Sequence, residues 1–480
     1  MAFVEVAANT LDDAYEIENS LRGEDGSSTA LTKSFGSAGN RRTFTISAWV
    51  KFGKCPQFSY LAGSIDSGSD YCQIGFADNG QIRINQGDNS VRVATKTLYR
   101  DPSAWYHVVF AIDTTDSTES NRVKIYVNGT LQDVCRPEAF TTAADYPTQN
   151  LDLFFNNTYA FGVGSRGDVD ASFDGYISDF YFLDGQAKAA SVFGETNNNG
   201  VWIPKDPTDV KENVTFGNNG FLFEFKQTGT SANASGIGAD TSGEGNHFAV
   251  SNLAAIDVTT DTPTNNFATL NPLSATAITF TEGNLHATNN SAAGSAASTI
   301  APSNGKWYFE VQLSGACNFA SGVVDVDKWD STTDIYDYDD SGAVAVLIEN
   351  TDNFIVDYTE DTAGGSRLQN SVNLNTAKYG FAVDLDSQGF YASANGNWYT
   401  GTAFDDTDFS NATNLANDIP AGTPMAFFVR NPDGVVARCN FGNPAGADTI
   451  SSGNSDANGY GNFEYAVPSG YYAVCTKNLA

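Results

Sequence analysis

The sequence predicts an all-β protein built as two antiparallel β-sandwiches. Three observations carry this. Short runs of alternating apolar and polar residues recur along the chain, each bounded by Gly, Asn, Asp or Pro. Glycine is abundant, 45 of 480 residues, and Asn-Gly pairs stand where hairpins need turns, because both turn positions want φ > 0. No stretch has the length and period of a long amphipathic helix. A chain of 480 residues exceeds one ordinary sandwich core, so more than one domain is expected.

The elements follow in order. Residues 1–20 read as an acidic arm with a weak helical period at Val4, Ala8, Leu11 and Tyr15. Residues 21–204 read as the first sandwich. In RRTFTISAWVKFG, Phe44, Ile46, Ala48 and Val50 alternate with Thr45, Ser47, Trp49 and Lys51. YCQIGFADNGQIRINQG is a hairpin that turns at Asp78, Asn79 and Gly80. SAWYHVVFAIDTT pairs with NRVKIYVNGTLQ, and FGVGSRGDVDASFDGYISDFYFLDGQ adds short strands around a tight loop. Residues 205–274, rich in Gly, Asn, Ser and Thr, read as a connector with one strand, GFLFEF. Residues 275–480 read as the second sandwich. Its segments are GKWYFEVQL, YGFAVDLDSQGFYASANGNWYTG, PMAFFVRNPDGVVARCNFGNP and VPSGYYAVCTKNL.

Composition excludes several function classes. The net charge is −32, and no Lys/Arg-rich run exists, so nucleic acid is not an expected partner. The acidity favours solubility and resists self-association. Six cysteines form no CxxC pair, which argues against a zinc site, and three fall in each half, an odd number that argues for reduced thiols in a cytosolic folding compartment. The N-terminus lacks a basic stretch followed by an apolar one, so no signal peptide is expected. No apolar run of membrane-spanning length occurs, so no membrane insertion is expected.

ISAWVK, AWYHVVFAID followed by VKIYVNG, and FDGYISDFYFLDG resemble, in that order, the laminin-G-like domain of the concanavalin-A-type lectin fold. Asp174 stands at a position that the pattern leaves open. The segments KWYFEVQL, YGFAVDLDSQGFYASANGNW, CNFGNP and PSGYYAV resemble a SPRY domain, a second sandwich of related type. The acidic stretch DVDKWDSTTDIYDYDD, residues 325–340, is longer than that pattern expects. Domain order, joint and opening stretch together resemble virion surface and tail-fibre proteins of tailed bacteriophages, especially marine and cyanobacterial ones. The resemblance implies a non-enzymatic virion protein, made in the host bacterial cytoplasm and displayed as a fibre, knob or surface appendage. It would be a homo-oligomer in contact with other virion proteins, and would bind host surface polysaccharide. The alternative is a capsid decoration or tail-assembly protein with protein contacts alone, favoured by the lack of a coiled-coil shaft. A polysaccharide-degrading enzyme ranks third.

Catalysis has little support. Glycosidases of this fold carry paired carboxylates on one strand, whereas Glu224 and Glu310 stand alone. His107, His247 and His286 neighbour no nucleophile elbow. Trp49, Trp105 and Trp307 lie within strands and read as core. The expected ligand-binding residues are the loop aromatics Trp329, Tyr336, Tyr338, Trp398 and Tyr399, on which sugar rings would stack. Calcium is the one ion expected, on Asp325, Asp327 and Asp330 or on Asp168, Asp170 and Asp174.

Overall fold

A computed structural model describes residues 15–54, 57–289, 294–315, 317, 319–329, 343–349, 353–356, 366–369, 377–415, 419–430, 434–446, 448 and 450–479. The chain divides into two compact units between Asn265 and Asn266. Among the described residues, no helix is long and apolar enough to cross a membrane.

Each unit is an antiparallel two-sheet sandwich. In the N-terminal unit one sheet runs Thr130–Leu131, Val123–Val127, Trp105–Asp113, Thr43–Phe52, Gly175–Asp184, Ser20–Gly23, Val258–Thr259, and Phe221–Phe223 also pairs with Gly175–Asp184. The other runs Val134–Cys135, Arg92–Thr95, Ile82–Gln86, Tyr71–Phe76, Ser59–Ile65, Ala160–Val163, Ala30–Ser34, Ala249–Ser251. Period-2 alternation places Phe44, Ile46, Ala48 and Val50 in one core with Ile74, Ile84, Val93 and Phe161, all at 0% exposure. Burial of this kind is worth about 1.5–3 kcal/mol per large side chain.

The opposite face of the first sheet is covered as well. Val109, Tyr181, Leu183 and Leu222 pack beneath Ala190, Phe193, Val210 and Phe216. His107 stacks between Trp49 and Trp202, at 4.8 and 5.9 Å between ring centres. The Trp202 indole N–H donates to His107 Nδ1 at 3.0 Å, which leaves Nε2 to donate to Ser47 Oγ at 2.9 Å. Further along, the buried Lys51 ammonium meets Asp261 at 2.8 Å, and the Trp105 indole donates to the same carboxylate. We call this the covered sheet, and its partner the open sheet.

The cover corrects the expected boundaries. Residues 205–265 complete the first sandwich. Phe221–Phe223 and Val258–Thr259 extend the covered sheet, and Ala249–Ser251 extends the open one. Phe221, Phe223 and Phe248 are fully buried. Residues 15–20 belong to the fold too: Ile17 is buried, and Ser20 opens a strand. Residues 1–14 of the expected arm lie outside the described residues.

In the C-terminal unit the large sheet runs Thr279–Thr281, His286–Thr288, Val436–Asn440, Lys306–Leu313, Lys378–Asp384, Gly389–Ala394, Asn397–Tyr399, Phe404–Asp406. Tyr472–Ala473 joins Lys306–Leu313 in parallel. The small sheet runs Ser295–Ala297, Met425–Arg430, Phe319–Asp325, Ala343–Glu349, Asn353–Val356, Ser366–Gln369. Trp307, Phe309, Val311 and Leu313 enter the core between the sheets, and Tyr308 and Glu310 face out. The C-terminal segment folds over them. Phe463 packs on Tyr308, and Glu310 accepts the backbone N–H of Glu464 and Tyr465 at 3.0 and 2.9 Å and the Tyr308 hydroxyl at 3.1 Å. Glu310 is therefore a structural pin. Cys72, Cys135 and Cys439 are buried free thiols, and Cys317 and Cys475 are buried as well.

Candidate functional site

Three of the expected ligand-binding aromatics are interior. Trp329 is 5% exposed, packs on Phe428, and donates its indole N–H to the Ser274 carbonyl at 2.8 Å. Trp398 and Tyr399 are 5% and 4% exposed. The Asn395-Gly396 pair, both at positive φ, reverses the chain so tightly that Asn397–Tyr399 becomes a strand on Gly389–Ala394. Trp398 then packs on Phe409, and Tyr399 on Phe404. None of the three offers a free ring face to a sugar. Tyr336 and Tyr338 lie outside the described residues.

Of the two expected calcium sets, the first lies partly outside the described residues and the second separates. Asp325 is buried and accepts the backbone N–H of Asp327 at 2.9 Å, a local turn. Asp330 lies outside the described residues. Asp168 and Asp170 are held by Arg166 at 2.8 and 3.0 Å, and the hydrogen bond from Arg166 lowers the Asp168 pKa. The Arg-Gly-Asp tripeptide is thus closed on itself. Asp174 belongs to a different group, with Glu24 and Asp25, whose ligand atoms lie within 4.8 Å of one another. Lys54 already sits there, with its ammonium 2.7 Å from Asp25 and 3.4 Å from Asp174. Burial, then the Glu24 charge, pushes Asp174 up to about 8. The expected Asp168, Asp170 and Asp174 set is not one site.

The residues that do converge lie on the outer face of the open sheet. Register defines two rows. Gly162, Gly63, Gln73, Asn85 and Arg92 are successive cross-strand neighbours, and so are Tyr60, Gly75, Arg83 and Ala94. Direct neighbours share a face. Glycine at 63 and 162 lets the loop after Ala160–Val163 lie flat on the sheet: a Cβ at Gly162 would meet the Arg166 carbonyl at 2.7 Å. This seats the Arg166 guanidinium 5.6 Å from the Tyr60 ring and 5.1 Å from the Tyr71 ring. On the other side Arg83 lies 4.5 Å from the ring of the exposed Phe58 and 3.7 Å from Glu138. Arg92 and Arg136 share Asp145. The flanking charges are therefore matched pairs.

Between these flanks lie two amides. Gln73 is 4% exposed, and Asn85 stands directly opposite it. Gln73 Oε1 and Asn85 Oδ1 are both shielded from solvent without a hydrogen-bond donor. An unmade bond of this kind costs about 1–3 kcal/mol, so two adjacent ones on an outer face form a preset pair of acceptors. Burial lowers the Arg83 pKa and raises that of Tyr60. The face can receive hydroxyl donors in its centre and stack apolar ring surface at its rim. Sequence reasoning missed it. The available signal was the polar phase of the hairpin, where Tyr71, Gln73, Arg83 and Asn85 stand in place of the Lys, Glu and Thr of an ordinary solvated face.

Residues 24–193 match the family described as the concanavalin A-like lectin/glucanases superfamily, laminin-G type. No curated protein matches the chain at a significant level. Similar solved structures include a native heptameric SAP-like pentraxin from Limulus polyphemus, 15% identical over 37% of this chain and 80% of that one, with a TM-score of 0.27. The SPRY domain of human HERC1 is 11% identical over 38% of this chain and 99% of that one, TM-score 0.27. The TRIM65 PSpry domain is 13% identical over 36% and 92%, TM-score 0.27. The family match supports the laminin-G-like reading of the N-terminal sandwich.

Proposed function

We propose that this chain is a non-catalytic binding protein, displayed on the virion of a tailed bacteriophage, that holds host surface polysaccharide on the open sheet of its N-terminal unit. The observation that carries the reading is the pair of shielded amide oxygens, Gln73 Oε1 and Asn85 Oδ1, left without donors between the Arg166 and Arg83 flanks. Sugar hydroxyls supply such donors, and the aromatic rim suits ring faces. The lectin-like family of residues 24–193 agrees with carbohydrate or protein binding. The virion setting rests on the sequence resemblance, which also suggests a homo-oligomer touching other virion proteins.

The test is equilibrium binding of purified protein to polysaccharide from susceptible cells. Saturable binding is expected, weakened tenfold or more by Gln73→Leu, which corresponds to about 1.4 kcal/mol. Absence of binding, or equal binding by the variant, removes the reading. Release of reducing sugar would show an enzyme instead.

A further inference from the structure

We propose that the C-terminal unit carries a second site, on the outer face of its large sheet, that binds the carboxylate of a uronic acid sugar. Register defines the row: His286 stands opposite Arg438, Arg438 opposite Gln312, and Gln312 opposite Lys378. Such neighbours have Cβ atoms about 4.5–5.5 Å apart, so one sugar ring spans two of them. The alternate residues Ala287, Ala437, Val311 and Tyr379 enter the core, which turns this row outward. The C-terminal segment covers the same face over Tyr308 and is pinned at Glu310. The row lies two residues beyond that pin. His286 and Lys378 are each 6% exposed, and Gln312 and Arg438 are partly open.

Arg438 is the unusual member. The chain has 57 acidic residues against 25 basic ones, and several of its other cations hold carboxylates or backbone carbonyls. Arg438 forms no ion pair with any described residue, and its Nε–H is shielded without an acceptor. Beside it, Gln312 Oε1 is shielded without a donor. The Lys378 charge acts on Glu310 and Glu464, whereas Arg438 has no carboxylate partner among the described residues. A guanidinium needing an oxyanion and an amide oxygen needing a hydroxyl, side by side, match a ligand with a carboxylate next to a hydroxyl. A uronic acid ring has that arrangement. The inference stands on Arg438 and Gln312 and is independent of the face in the N-terminal unit.

The experiment is calorimetric titration of the full chain with glucuronic acid, glucose, inorganic sulfate and an aspartate-rich peptide. It is run on the wild type and on Arg438→Gln, Gln312→Leu and Gln73→Leu. Saturable glucuronate binding is expected, weakened at least tenfold by Arg438→Gln and Gln312→Leu, whereas the glucose response of the N-terminal face is lost in Gln73→Leu and unchanged in Arg438→Gln. Glucuronate binding that Arg438→Gln leaves unchanged, or its absence in the wild type, overturns the site. Sulfate binding as strong as glucuronate, or preference for an aspartate-rich peptide, overturns the ligand class. If Arg438→Gln lowers the unfolding midpoint, Arg438→Lys replaces it: the charge stays, the Nε–H goes, and the same loss is expected.

Discussion

His107 and Asp179 are buried groups of the N-terminal unit whose protonation pulls stability in opposite directions. His107 lies under Trp49 and Trp202, and burial lowers its pKa to about 3. It stays neutral when folded but charges near pH 6.5 when unfolded. The unfolded chain therefore binds the extra proton below that pH, and stability falls as pH drops, by about 2 kcal/mol between pH 6.5 and 5. Asp179 sits at the bulge where Gly175–Asp184 slips against Thr43–Phe52, at φ 43°, and is 3% exposed. Burial, then Glu224, raises its pKa to about 8. Here the folded state keeps the proton, and stability is lost as pH rises from about 4 to 8. Relative to wild type, His107→Gln should make stability fall more steeply with rising pH below 6.5. Asp179→Asn, which tolerates the left-handed backbone, should raise the unfolding midpoint at pH 8 and approach wild type at pH 4. Urea titrations across this range check both, and wild-type slopes in either variant would refute the corresponding assignment.

At the level of elements, the strand Val258–Thr259 shows why the first domain was only partly legible. The longer strands announced themselves by period 2, as at Phe44 to Val50. The returning pieces Phe221–Phe223, Ala249–Ser251 and Val258–Thr259 are two or three residues long, too short for a period. Their Gly- and Asn-rich surroundings serve turns, yet read as linker. The face that carries Gln73 and Asn85 was missed for a related reason. A polar residue at every second position signals a solvated face, and only the packed sheet reveals that Gln73 is covered. Conversely, Trp398 follows an Asn-Gly turn and so read as loop, although the turn is tight enough to start a strand. The return of Val258–Thr259 is locked by Asp261 on Lys51, both fully buried, and burial lowers the Lys51 pKa. Asp261→Ala takes the carboxylate from a buried ammonium and should cost about 3–5 kcal/mol, whereas Lys51→Met with Asp261→Ala should recover most of it. Chemical denaturation of the two variants measures the difference. A double variant no more stable than the single one would show that the pair matters through more than its charge.

For the whole molecule, the boundary at Asn265 sets what can fold. A fragment of residues 1–265 should unfold cooperatively, since it contains both sheets and their covers. A fragment of residues 1–204 lacks Phe221, Phe223 and Phe248, which touch Phe161, Phe180 and Phe182. It should be insoluble or bind a hydrophobic dye, as exposed core surface does. Calorimetry and dye fluorescence of the two fragments decide the matter, and cooperative unfolding of the shorter one would move the domain boundary back to residue 204.

The pairing of Ser20–Gly23 with Val258–Thr259 carries a mechanical meaning. Ser20 Oγ contacts Thr259 Oγ1 at 2.9 Å and donates to the Asp261 carbonyl at 2.6 Å, and Thr264 Oγ1 donates to the Ile17 carbonyl at 3.0 Å. The chain therefore enters and leaves this sandwich at one spot. A tug on residue 15 against residue 265 is borne by that seam and does not cross the core. The seam is antiparallel, with both loaded ends on the same side, so it would open rung by rung, like a zip. The sandwich can ride in a chain under tension as a bead hung from a single point, and its open face stays undistorted while the tether is pulled.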